Sequence, residues 1–196
     1  MIELVLCTGN PGKVAELRAL LPDDHRVVGL AELGLSTDLP ETSDTLQGNA
    51  LQKARHAFAQ CGRPCVADDT GLEVDALHGA PGVRSARYAG EAKDAAANMR
   101  KLLDALVGAP LRTARFRTVL AFVDGDKEHC FEGTVEGTIT HGPLGTGGFG
   151  YDPIFLPEGS SLTFAQMDAE AKNRISHRAR AMEKLLAYLR EVQRPR

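Results

Sequence analysis

The stretch Ile2-Glu3-Leu4-Val5-Leu6-Cys7-Thr8-Gly9-Asn10-Pro11-Gly12-Lys13-Val14 carries the first decision about the fold. Its apolar run through Cys7 predicts a β-strand, and Thr8-Gly9-Asn10-Pro11-Gly12 is a strong turn signal that ends it. From Lys13 the period changes, with Val14, Leu17 and Leu20/Leu21 recurring at helical spacing. A strand feeding a helix through such a turn aims free backbone N–H groups and the helix dipole at one spot. That arrangement suits phosphate, and Lys13 adds a formal charge there. The turn is too short for a Walker A loop, and Val14 stands where that loop needs Ser or Thr. An ordinary strand–helix connection accounts for the segment equally well.

Working outward, a second helix is expected from Thr45 to Ala59, with Leu46, Ala50, Ala54 and Ala57/Phe58 on one face and Thr45 or Asp44 as N-cap. Cys65-Val66-Ala67 reads as a short strand running into Asp68-Asp69-Thr70-Gly71, and Gly79–Gly90 as a loop. A third helix is expected over Asp94–Leu106. Thr113–Val123 and Lys127–Ile139 read as two strands of a hairpin turned at Asp124-Gly125, with Phe131, Val135 and Ile139 on one buried face. Ile154–Leu156 is a short strand, and a helix from His177 to Val192 closes the chain. Strands and helices alternate early and a hairpin follows. The expected class is α/β, a mixed central sheet flanked by helices, with 1–196 as a single domain.

A chain of 196 residues is long enough for one domain with a real core, or two small lobes. The net charge of −3 argues against a protein that coats nucleic acid or lies on a membrane surface. No apolar run approaches the roughly 20 residues that cross a bilayer. Met1-Ile2-Glu3-Leu4-Val5-Leu6 carries an acid and no basic segment, so it reads as the first strand and not as a signal peptide. Cys7, Cys61, Cys65 and Cys130 form no CxxC pair, and reduced thiols in a cytoplasmic protein are expected. His56, Cys61 and Cys65 lack a fourth partner for zinc.

Chemistry is concentrated in a few segments. Asp68 and Asp69 are expected at a strand end, where α/β ligand sites lie, one facing a ligand while the other caps or pairs with backbone. Asp69-Thr70-Gly71 resembles the aspartic protease signature, but Asp68 stands where that motif needs an apolar residue. An aspartyl-nucleophile phosphatase needs a second Asp at the place of Gly71. Ser176 is a good N-cap, which puts His177 and Arg178 in a first turn where the dipole disfavours cations by up to about 1 kcal/mol. A bound anion reverses that penalty, and Lys172 belongs to the same basic cluster; plain solvated charges are the alternative. Gly147-Gly148-Phe149-Gly150-Tyr151-Asp152-Pro153 would let an aromatic ring approach a flat ligand, and stacking a base on such a ring is worth about 1–3 kcal/mol.

Taken in order, these segments resemble the inosine/xanthosine triphosphate pyrophosphatase family. The resemblance is carried by Thr8–Lys13 with Glu16-Leu17, by Glu41-Thr42 followed by Asn49-Ala50 and Lys53-Ala54, and by Ala67–Leu72. Gly79-Ala80-Pro81-Gly82 with Ser85–Tyr88, Gly147–Phe155, Lys172-Asn173 and Ser176-His177-Arg178 complete it, so that it spans nearly the whole chain.

The resemblance implies Mg²⁺-dependent hydrolysis of ITP, dITP and XTP to the monophosphate and pyrophosphate. It casts Asp69 as the general base or water-aligning carboxylate, with Glu41 and Asp69 holding the metal. Thr8, Gly9, Asn10, Pro11, Gly12, Lys13, Thr70 and Lys172 would grip phosphates and sugar. Phe149, Gly150, Tyr151 and Asp152, with His177 and Arg178, would line the base pocket. An elongated two-lobed domain with a substrate cleft between lobes, usually a homodimer, is the implied architecture. One departure stands out: the family usually has an acid before its Asn-Ala pair, and this chain has Gly48. A non-catalytic nucleotide sensor is the alternative from another class. An RNA-binding module lacks the basic stripe it would need.

Overall fold

In the computed structural model, which describes residues 2–192, the apolar run Ile2–Leu6 forms β1. Met1, part of the expected first strand, lies outside the described residues, as do 193–196. β1 pairs in parallel with β2 (His25–Gly29) from Ile2↔His25 to Leu6↔Gly29, and with β3 (Cys65–Val74) at Val5↔Cys65 and Leu6↔Val66. A strand with parallel neighbours on both sides is covered on both faces, which is why Leu4, Val5 and Leu6 are all buried. β2 carries no readable pattern in the sequence: of its five residues only Val28 is buried.

α1 (Pro11–Leu20) starts earlier than its apolar period, at a proline whose φ is already set for a first helical position. α2 (Leu46–Cys61) is capped by the Thr45 hydroxyl, as expected, and ends where Gly62 takes a left-handed φ of 59°. β3 does not stop after Ala67. It continues to Val74, so Asp68 and Asp69 lie inside a strand and not at its end. The apolar side chains that hold its second half, Leu72 and Val74, have no solvent exposure. That half also pairs antiparallel with β4 (Pro81–Gly82).

The remaining elements follow the sequence closely. α3 (Ala95–Ala105) is capped by Asp94, and β5 (Thr113–Asp124) and β6 (Lys127–Ile139) are the two expected long strands. β7 (Phe155–Pro157) pairs antiparallel with β6, α4 (Ala169–Ile175) is a short helix the periodicity did not reveal, and α5 (His177–Val192) closes the fold. Among the described residues the strands form one mixed sheet in the order β2-β1-β3-β5-β6-β7, with β4 on β3.

The chain divides into two compact units, each with its own core. The first takes its described residues from 2–69, 118–133 and 178–192, and α1 and α5 bring Leu17, Met182 and Leu185 against Leu4, Val66 and Phe122. The second comprises 70–117 and 134–177, with the rings of Phe116, Phe155 and Phe164 packed together in its core. Leu185→Ala removes a side chain with 0% exposure and should cost about 2–5 kcal/mol of stability. Val107→Ala, at a site 82% exposed, should stay within about 0.5 kcal/mol in the same denaturant titration.

Candidate active site

In the first unit the site is built on β3. Asp68 is completely buried, and its Oδ1 lies 2.7 Å from the Lys13 ammonium at the start of α1. Its Oδ2 accepts from Arg178 Nε at 3.2 Å and from Nη2 at 3.1 Å, while Arg178 Nη1 donates to Glu16. A buried carboxylate keeps its charge only against such partners. Burial by itself would raise the Asp68 pKa, yet Lys13, Arg178 and Lys53 outweigh it and hold the group well below the usual carboxylate range.

Asp69 has a different environment. Lys53 reaches in from α2 and donates to Asp69 Oδ1 at 2.9 Å, Glu41 Oε1 at 2.9 Å and the Asp68 carbonyl at 2.6 Å. Asn49, one turn earlier, donates from Nδ2 to Asp69 Oδ2 at 3.3 Å and accepts from the Ser43 N–H at 2.8 Å. Here burial dominates and pushes the Asp69 pKa above the ordinary value, against the pull of Lys53 and Lys13. Burial acts to lower the Lys53 pKa, but Asp69, Asp68 and Glu41 together raise it; for Lys13 burial prevails and lowers it. Two adjacent carboxylates are thus driven in opposite directions, which separates a fixed anion from a proton acceptor. Glu41 and Asp69 present oxygens to the same point, the donor type a hard divalent cation takes. Four carboxylates (Glu16, Glu41, Asp68, Asp69) meet three basic groups, so an arriving polyanion needs further positive charge.

The Thr8–Lys13 turn is half exposed, but three of its N–H groups are not free as the sequence suggested, and that of Asn10 donates to Thr8 Oγ1 at 3.2 Å. Asn10 Oδ1 accepts from Gly12 N at 2.9 Å and Lys13 N at 3.3 Å, an ordinary helix N-cap. Gly48 has a local explanation: a Cβ there would sit 2.0 Å from Ser43 Oγ and 2.9 Å from Thr45 Oγ1. Those hydroxyls occupy the space that a side chain at position 48 would need.

In the second unit Asp152 plays the organising part. It is 3% exposed, and its Oδ2 accepts from Lys172 Nζ at 2.5 Å and from the Phe149 N–H at 2.8 Å. Gly148 holds a φ of +68°, and a Cβ on it would lie 2.1 Å from that same oxygen, so only glycine closes this loop. The Lys172 ammonium stands 4.9 Å over the half-buried Phe149 ring. The His177 ring stacks on Phe116 at 4.7 Å, and the Tyr151 hydroxyl donates to the Ser85 carbonyl at 2.8 Å. Gly150 and Thr70 are half-buried.

Lys172, His177 and Arg178 are at most 5% exposed, so the solvated-charge reading fails for all three. Asp68 pairs with the side chains of Lys13 and Arg178. Arg178, expected at a base edge, is held by Asp68 and Glu16. The sequence reading named no role for Glu16, Asn49 and Lys53. For the last two a signal existed: they are four residues apart on a helix, beside the buried Ala50 and Ala54.

Comparison with known proteins agrees along the whole chain. A family model described as the Ham1 family matches residues 4–188. A dITP/XTP pyrophosphatase of Porphyromonas gingivalis is 55% identical, over 96% of this chain and 98% of that one. Another of that name from Flavobacterium johnsoniae is 46% identical over 96% and 98%. The structure of the Staphylococcus aureus Ham1 protein superposes with a TM-score of 0.88 at 41% identity, covering 97% of this chain and 100% of that one. Arg178→Met should cost about 3–5 kcal/mol in chemical denaturation, because it strips a partner from the buried Asp68 carboxylate.

Proposed function

Because the chain belongs to the Ham1 family, we propose that it hydrolyses deaminated purine nucleoside triphosphates (dITP, XTP and ITP) to the monophosphate and pyrophosphate. The reading rests on the convergence of Glu41 and Asp69 on one ammonium, with Lys13 held close by against Asp68 at the end of a partly exposed turn. Forming those products breaks the bond between the α- and β-phosphates, with water adding at phosphorus and pyrophosphate leaving. Asp69, with its raised pKa, orients that water and accepts its proton. Lys13 and the polar groups of the Thr8–Lys13 turn hold the phosphate chain, and Lys13 offsets the charge gathering on the leaving pyrophosphate. Lys53 and Asn49 keep the Asp69 carboxylate in one orientation.

Glu41 and Asp69 are the residues that would hold Mg²⁺, which neutralises phosphate oxygens when bound. Among the described residues no group of three His, Cys, Asp or Glu side chains is placed to hold a metal ion. For the base, Phe149 offers a stacking face and Lys172 and His177 offer donors. Hypoxanthine and xanthine present an O6 acceptor where adenine presents an N6 donor. Leaving a buried donor unpaired costs about 1–3 kcal/mol, which sets the scale of discrimination. A homodimer, which only the family resemblance implies, and a cytoplasmic location, with which the free cysteines agree, belong to the same proposal.

Purified protein with Mg²⁺ should release pyrophosphate from ITP much faster than from ATP; equal rates, or orthophosphate as the product, would overturn the assignment. Asp69→Asn should lower kcat by about 10²–10⁴-fold. Calorimetry on that variant should still detect ITP binding, and near-normal turnover would remove Asp69 from the mechanism.

A further inference from the structure

Three thiols meet where α2 passes into β3. Cys61 is the last residue of α2, Cys65 is the first of β3, and their Sγ atoms stand 3.7 Å apart. Cys7 lies beside Cys65 and raises its pKa, and both of these are fully buried. Cys61 is only half buried and keeps a route to solvent. The hydrolysis proposed above uses none of these sulfurs.

We propose that Cys61 and Cys65 form a reversible dithiol–disulfide pair that exchanges with low-molecular-weight disulfides such as oxidised glutathione. The sulfurs have to close from 3.7 Å to about 2.05 Å, and Cys61 sits at a helix end, where the chain turns away at Gly62. The thiolate of Cys61, the sulfur that solvent reaches, attacks one sulfur of the small disulfide and releases one thiolate. Cys65 then gives up its proton to that thiolate or to water, and its sulfur attacks Cys61 Sγ, expelling the second thiolate. The two cysteines lose two electrons and two protons, and the small disulfide is reduced to two thiols.

Burial raises the Cys61 pKa, so the exchange is slower than for a free thiol at neutral pH and speeds up as pH rises. The neighbouring Cys7 and burial hold the Cys65 thiol far higher still, which makes it the resolving and not the attacking group. Once formed, the bond joins the end of the helix that carries Asn49 and Lys53 to the strand that carries Asp68 and Asp69.

The test is mass spectrometry on the full, folded chain after incubation with oxidised glutathione and alkylation of the remaining thiols. Trypsin does not cut Arg63–Pro64, so Cys61 and Cys65 stay together in the peptide His56–Arg84, apart from Cys7. The expected result is loss of two hydrogens from that peptide, resistance to alkylation, and full reversal by dithiothreitol. Cys65→Ser should trap one glutathione on Cys61, and Cys61→Ser, at the half-exposed position, should abolish the oxidised peptide. Alkylation of both cysteines in the wild-type chain overturns the proposal, as does a link from Cys65 to the peptide carrying Cys7. Because these readouts follow covalent mass and not turnover, their failure is distinct from failure of the hydrolase assignment.

Discussion

The carboxylate of Asp68 has no contact with bulk water, and its charge survives there because Lys13 and Arg178 close on its two oxygens. The three residues come from the middle of β3, the first turn of α1 and the first turn of α5. Removing Lys13 or Arg178 would strip a partner from a carboxylate that no water reaches. The triad therefore fixes where the Lys13 ammonium stands, and with it the place where the proposed function has the turn hold phosphate. It also removes the puzzle of a basic residue at a helix start: the dipole penalty on Arg178 is small beside the attraction of Asp68 and Glu16.

Asp69 illustrates what one step along the same strand can do. Its neighbour's cations are largely spent on Asp68, and the ammonium it shares with Glu41 does not overcome burial. It becomes the more basic of the pair, suited to a proton that must be taken up and given back. The Asn49 amide bridges Asp69 to the Ser43 N–H, tying the segment that carries Glu41 to the strand. Gly48 serves that arrangement by leaving room for Ser43.

The second unit repeats the logic with other residues. A buried acid, Asp152, takes a lysine and a loop N–H, and the glycines around it let the backbone wrap that closely. The aromatic and cationic groups that result, Phe149 and Lys172, are held from below by Asp152 and not by contact with solvent. Buried acid–lysine pairs thus recur as the local means of presenting polar chemistry on an apolar core.

The amino-acid sequence by itself determined the element plan wherever periodicity or capping is local: Pro11 at a helix start, Thr45 and Asp94 as caps, the long hairpin strands, and the closing amphipathic helix. It also marked out most of the polar segments that the site uses, because glycine turns and clustered charges are rare enough to stand out. It did not determine that β3 runs on past Asp69, since that depends on burial of Leu72 and Val74 and pairing with β4. Nor did it reveal β2 or α4, whose short spans carry too few apolar residues to show a period. Only the tertiary structure decided which cation each acid holds. Asp68 meets Arg178 across 110 positions of chain and Asp69 meets Lys53 across 16, and such pairings follow from how helices pack on the sheet and not from any spacing along it.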